Sequence, residues 1–198
     1  MNFISIDIET TGLDPEKCQI IEFGAVVVEN WNIVGKYRRI IWNSEIKGEP
    51  FAISMNINII NEFSKFMSTN DFKEIPGIIT EKELTIDFIN WINENKFNFE
   101  TTKKGTIKIN VAGKNYSQFD SKLLNKIPNW TNLIEIHRRV LDPSILYFNS
   151  MLDKENLPSL EDCKLRSKLF KTDEIKVKHR ADKDAEDVAI LLIEKLKP

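Results

Sequence analysis

Sulfur and imidazole are scarce in this chain. Its 198 residues include two cysteines, Cys18 and Cys163, and two histidines, His137 and His179. Neither cysteine sits in a CxxC spacing, so the sequence does not support a zinc site. Two isolated cysteines read as reduced packing residues rather than as a disulfide framework. Long apolar runs are also missing: none approaches the roughly 20 residues of a spanning helix. Met1 leads directly into strand-like sequence, not into a basic segment and an apolar signal stretch. These absences imply a cytoplasmic protein with no membrane partner. Cationic excess is lacking as well, because 28 Lys and Arg face 30 Asp and Glu for a net charge of −2. A uniformly basic surface that coats nucleic acid is thereby excluded, and any such contact must be local. Seven glycines, seven prolines and 41% apolar residues exclude a low-complexity chain and fit one domain over 1–198.

The opening stretch organises what is present. Asn2-Phe3-Ile4-Ser5-Ile6-Asp7-Ile8-Glu9-Thr10-Thr11-Gly12 reads as a buried strand carrying two carboxylates, followed by a turn. Asp7 and Glu9 are two residues apart and so share one face of the strand. Burying two like charges side by side costs several kcal/mol unless something neutralises them, and a divalent cation does so. Taken alone, a pair of carboxylates at a strand end facing solvent or paired with Lys or Arg remains the commoner arrangement.

Further along, residues 19–28 and 33–42 read as second and third strands joined by a short polar connection, which makes an antiparallel meander. The charges of Lys36, Arg38 and Arg39 suggest that the third strand is the edge. A helix is expected over 51–66, with Phe51, Met55, Ile59 and Phe63 as its core stripe. A connection over 67–80 then leads through a capping box, Thr80 with Glu83, into a helix that runs to about Glu94. Residues 96–105 read as a polar loop. A fourth strand is expected over 106–112 and a fifth over 133–136, with helices near 116–124, 144–151 and 159–169. The last helix is expected from Asp182, as N-cap, to Leu196. The order implies an α/β fold, a five-stranded mixed sheet flanked by helices.

Two later places repeat the acidic theme. Asp120 falls in the first turn of the helix after the fourth strand, within Asn115-Tyr116-Ser117-Gln118-Phe119-Asp120. The final helix begins His179-Arg180-Ala181-Asp182-Lys183-Asp184. Around His179, the cations Lys164, Arg166, Lys168, Lys171, Lys176, Lys178 and Arg180 outnumber the acids Asp173 and Glu174. As a charge run alone, this reads as a solvated surface.

Asp-x-Glu-Thr-Thr-Gly, then Asn-x-x-x-Phe-Asp, then His-x-x-x-x-Asp together resemble the three ordered motifs of the DEDDh exonucleases of the DnaQ-like superfamily. The resemblance spans Asp7 to Asp184. It implies a ribonuclease H-like fold and 3′→5′ removal of nucleotides from single-stranded DNA or RNA as nucleoside 5′-monophosphates. Carried over, Asp7, Glu9, Asp120 and Asp184 would hold two metal ions, Mg²⁺ or Mn²⁺, and His179 would be the general base. Thr10 and Thr11 would hold the last sugar and Leu13 would wedge against the terminal base. Asn115 would contact phosphate or cap its helix. The implied partners are single-stranded 3′ ends, with a second copy or a polymerase left open.

The chemistry of the residue types agrees with this. Phosphodiester hydrolysis builds charge on the phosphoryl oxygens, which two metal ions neutralise, and hard oxygen donors without cysteine select Mg²⁺ or Mn²⁺. A histidine titrating near 6.5 can accept a proton from the attacking water near neutral pH. The neighbouring cations then gain a use as phosphate contacts. Two readings compete with this one: an oligoribonuclease-like enzyme restricted to short RNA, and a catalytically idle nucleic-acid-binding module on the same fold.

Overall fold

The computed structural model describes residues 1–64, 75–103 and 105–198. Three long strands form its centre: β1 (Phe3–Thr10), β2 (Ile20–Glu29) and β3 (Asn32–Trp42). They pair antiparallel, with Asp7 opposite Gly24 and Glu9 opposite Glu22. Both faces of β1 are covered, which is why it reads as an almost unbroken apolar run. Ile4, Ile6 and Ile8 pack into the main core with Phe23, Phe88 and Trp130. Phe3, on the opposite face, packs with Val188 and Leu192 of the last helix, α8 (Ala181–Leu196). Asp7 and Glu9 share that second face by alternation.

The expected five-stranded mixed sheet is present, with different members at its margins. Its order is β4-β3-β2-β1-β7, where β4 is Ile78–Thr80 and β7 is Val111–Ala112. β4 pairs in parallel with Ile40–Trp42, so the third strand is not a bare edge. Its cations are used in pairs rather than as edge protection: Lys36 with Glu186, Arg38 with Glu22 and Glu62, and Arg39 with Asp87. The expected connection over 67–80 lies outside the described residues as far as residue 74.

Strand four is broken. β6 (Ile107–Ile109) belongs to a second sheet of order β5-β6-β8, with β5 at Glu100–Thr101 and β8 at Ile134–Ile136. Asn110 makes the break: its carbonyl accepts from Ile4 N at 2.9 Å, and its side-chain amide donates to Asn2 O at 3.0 Å. The expected fifth strand therefore joins the smaller sheet, and two residues of the expected polar loop are strand.

The helix expected over 51–66, of which 65–66 lie outside the described residues, divides at Asn56 into α1 (Pro50–Met55) and α2 (Ile57–Ser64). Ile59 and Phe63 are buried, whereas Phe51 and Met55 are exposed, so only half of the stripe is core. α3 (Glu81–Glu94) starts at the expected capping box, where the Thr80 N–H and hydroxyl both donate to Glu83. α4 (Asp120–Leu124) begins at Asp120, and residues before it form turns. Three short helices follow, α5 (Trp130–Leu133), α6 (Pro143–Leu146) and α7 (Leu160–Ser167). No helix among the described residues is long and apolar enough to cross a membrane.

At the start of α8 the N-cap is Arg180, not Asp182, which lies in the first turn and pairs with Arg180. Neither side chain caps the helix. The Ala181 N–H instead donates 2.6 Å to the carboxylate of Glu22, the third residue of β2. Ala181, Ala185 and Ala189 are wholly buried, and their small side chains bring α8 close to the sheet.

Candidate active site

Carboxylate oxygens of Asp7, Glu9 and Asp184 all lie within 4.8 Å of one another. Two come from β1, and the third comes from the first turn of α8. The close approach that unites them has an identifiable cause. A Cβ added at Gly24, directly opposite Asp7, would fall 2.1 Å from the Ala181 carbonyl carbon and 2.3 Å from Asp182 N. Only glycine lets the helix start rest on the strand there.

Asp120 reaches the same place from the other side of the sequence. Its Oδ1 accepts from the Ile8 N–H at 3.2 Å, a bond to the peptide between Asp7 and Glu9. Glu9, Asp120 and Asp184 are 8%, 3% and 4% exposed, and Asp7 is partly buried. Such burial of four acids without a cationic partner among them perturbs every one. Burial first, then the charges of Asp120, Asp184 and Glu9, hold the Asp7 carboxyl well above its usual range. Glu9 is pushed up to about 8 by burial and by Asp184 and Glu22, although a hydrogen bond from Asn56 works against this. Burial raises Asp120 to about 7 and Asp184 to about 6. The donor set is all hard oxygen, and a divalent cation offsets the burial and the mutual repulsion of these groups; the residues fit such an ion.

The other sequence-selected residues are placed less tightly. His179 is exposed at φ 50°, in the segment just before α8, and has no hydrogen-bond partner among the described residues. Thr10 and Thr11 are buried with their hydroxyls turned inward, Thr10 to Gly12 O at 2.8 Å and Thr11 to Lys47 O at 2.6 Å. Leu13 is 72% exposed, and its N–H donates to Glu49. Asn115 is exposed at φ 59°; its N–H donates to Asp142, and its carbonyl accepts from Gln118 and Phe119 at the start of the turn toward Asp120. The basic stretch is thinner than its composition suggests. Lys164 is buried against Asp187 and Arg166 is paired with Asp153, leaving Lys168, Lys171, Lys176 and Lys178 exposed without an ion pair among the described residues.

Sequence reasoning passed over Glu22 and Gly24. Both interrupt an otherwise apolar central strand, and a glycine or an acid inside such a run is a readable sign of close approach or of a special partner. Glu22 has no exposed surface, yet it is held by Arg38 as well as by the start of α8.

Residues 4–82 match the exonuclease family model of the RNase T kind. The chain resembles DEDDh-type exonucleases in sequence and in fold. It is 28% identical over 139 residues to the PolC-type DNA polymerase III of Ureaplasma parvum serovar 3, a match covering 63% of this chain and 9% of that polymerase. The chain thus spans a small part of its curated relative. Among solved structures, the zinc-bound Escherichia coli exonuclease I complex with single-stranded DNA aligns over 99% of this chain and 40% of its own, with TM-score 0.64 and 14% identity. The nuclease domain of 3′hExo, a DEDDh family member bound to rAMP, aligns over 99% of this chain and 92% of its own, with TM-score 0.62 and 16% identity. These structures share the exonuclease-type α/β fold, and the matched segment contains Asp7 and Glu9.

Proposed function

We propose that this chain is a metal-dependent 3′→5′ exonuclease that removes nucleoside 5′-monophosphates from single-stranded DNA or RNA. The observation that carries the reading is the convergence of the Asp7, Glu9 and Asp184 carboxylates within 4.8 Å, with Asp120 bonded to the peptide between the first two. Asp7, Glu9, Asp120 and Asp184 would hold two Mg²⁺ or Mn²⁺ ions, which when bound neutralise charge growing on the phosphoryl oxygens. Deprotonated, the four acids bind the cations; protonated, they lose them.

His179 is assigned as the general base, its imidazole accepting the proton of the attacking water. Its exposed place in the segment leading into α8, five residues before Asp184, supports this. Leu13, exposed beside the end of β1, would press on the terminal base, with the Thr10–Thr11 turn and Asn115 lining the same end. The short-RNA enzyme would use the same residues, whereas an idle module has no need of the complete set of four carboxylates and a histidine. The polymerase relative makes a polymerase partner a reasonable companion to this domain.

The test follows 5′-labelled single-stranded DNA, RNA, duplex and dinucleotide with Mg²⁺ or Mn²⁺ beside Asp7→Ala. A ladder shortening from the 3′ end only in the unmodified protein supports the reading. Turnover confined to dinucleotides selects the short-RNA enzyme, and binding without turnover selects the idle module.

A further inference from the structure

Beyond β8 the chain departs from its neighbouring strand in a way that the carboxylate site does not require. Two ladder hydrogen bonds pin it: His137 N–H donates to Ile109 O at 3.0 Å, and Leu141 N–H donates to Val111 O at 2.9 Å. Between these bonds the neighbour advances two residues and this segment advances four, so Arg138 and Arg139 are looped out as a bulge. Both arginines are exposed, and among the described residues neither forms an ion pair or a hydrogen bond.

The bulge lines an open cleft of about 720 Å³ together with Met1, Ile136, Leu141, Lys108 and the half-buried His137. Glu135 is the acid in this lining, and it is matched by Lys108 at 3.7 Å. Two unpaired guanidinium forks are the side chains best suited to phosphate oxygens. Apolar side chains beside an imidazole offer a face to bases without reading their identity. In a chain of net charge −2, such a local cationic excess is not a property of the whole surface.

Its placement connects it to the site. Two residues separate Arg139 from Asp142, whose carboxylate holds the Asn115 N–H at 2.8 Å in the turn toward Asp120. We propose that the Arg138–Arg139 bulge and its cleft bind the phosphate backbone of a nucleic-acid strand upstream of the 3′ end. This rests on the exonuclease reading of the carboxylate site. Affinity then grows with strand length, while the chemistry at the terminal nucleotide does not depend on the bulge.

The experiment compares the unmodified protein, Arg138→Ala/Arg139→Ala and Arg138→Lys/Arg139→Lys. Binding of a 5′-fluorescein oligodeoxythymidylate pentadecamer is read by anisotropy in EDTA over a salt series. Turnover of a trinucleotide and of the pentadecamer is read with Mn²⁺. The alanine pair is expected to bind the pentadecamer ~10-fold more weakly, with a salt slope reduced by about 1.4, as for two phosphate contacts on a single strand. Its kcat/KM should fall on the pentadecamer and not on the trinucleotide, and the lysine pair, which keeps the charge but not the fork, should regain part of the binding. Unchanged pentadecamer binding overturns the proposal. So does an equal kcat/KM loss on both substrates, or an equal loss in the lysine and alanine pairs, either of which marks a general structural effect. If the unmodified protein turns over neither substrate, the exonuclease reading fails, and the binding comparison in EDTA still decides the cleft.

Discussion

Replacing Gly24 by alanine tests how the site is assembled without touching a carboxylate. The new Cβ would lie 2.1 Å from Ala181 C, 2.3 Å from Ala181 O and 2.3 Å from Asp182 N, all backbone atoms of the start of α8. No rotamer change relieves backbone, so the helix start must retreat by roughly an ångström or more. Overpacking of this kind costs about 1–3 kcal/mol. The retreat also stretches the 2.6 Å bond from Ala181 N–H to the buried Glu22, and a buried acceptor left short of a partner costs about 1–3 kcal/mol. Together these amount to about 2–6 kcal/mol, or a fall in Tm of about 4–24 °C for a domain of this size. Asp184 moves with the helix, so the stabilisation that Mn²⁺ gives the unmodified protein should shrink. Thermal denaturation with and without Mn²⁺ reads both effects. Gly35→Ala is the control: there the obstacle at 2.3 Å is the tip of the Phe97 ring, which can turn aside at lower cost. A Gly24→Ala protein with an unmodified Tm and an unmodified Mn²⁺ response would refute this account of how α8 is seated.

Other outcomes follow from the same geometry. His179→Ala should lower kcat by about 10²–10⁴-fold, the usual range for a lost general base, while the Tm shift produced by Mn²⁺ stays unchanged; a drop in metal response would instead place His179 in metal binding. The metal-free protein should lose stability as pH rises from about 4 toward 8. The folded carboxyls, with Asp7 raised and Glu9, Asp120 and Asp184 at about 8, 7 and 6, bind more protons than the unfolded chain in that window. Added Mg²⁺ should accordingly raise Tm more at pH 8 than at pH 5.5, and Asp7→Asn should flatten both trends; differential scanning at the two pH values reads this. Leu13→Ala should change stability by no more than about 0.5 kcal/mol, as for an exposed position, and raise KM for single strands; an unchanged KM removes Leu13 from the nucleotide seat.

The long elements were legible because their patterns are strong. β1 to β3 alternate around apolar runs, α3 opens on a capping box, and α8 carries a stripe from Ala181 to Leu192. The carboxylates were legible through ordered motifs. What the local pattern did not reveal is set by distant partners. Asn110 breaks the fourth strand by bonding to Asn2 and Ile4, more than a hundred residues earlier. β4 is three residues long and gains its strand character from pairing with Ile40–Trp42. Asp182 has the side chain of a helix cap, but Glu22 already occupies the Ala181 N–H, so the cap comes from another element. Phe51 and Met55 fit a helical core stripe, but Asn56, whose side chain donates to Thr10 O at 2.9 Å, ends that helix before the stripe reaches the sheet.

The bond between Glu22 and Ala181 closes a loop of 159 residues. Contacts that far apart in sequence form late, after the entropy of closing the chain has been met by other packing. A growing chain can make β1, β2 and α4 with Asp7, Glu9 and Asp120 in place, and still lack Asp184 and the helix start that occupies Glu22. The carboxylate cluster is therefore complete only with α8 docked, and a chain cut short before α8 has three of the acids but no finished site.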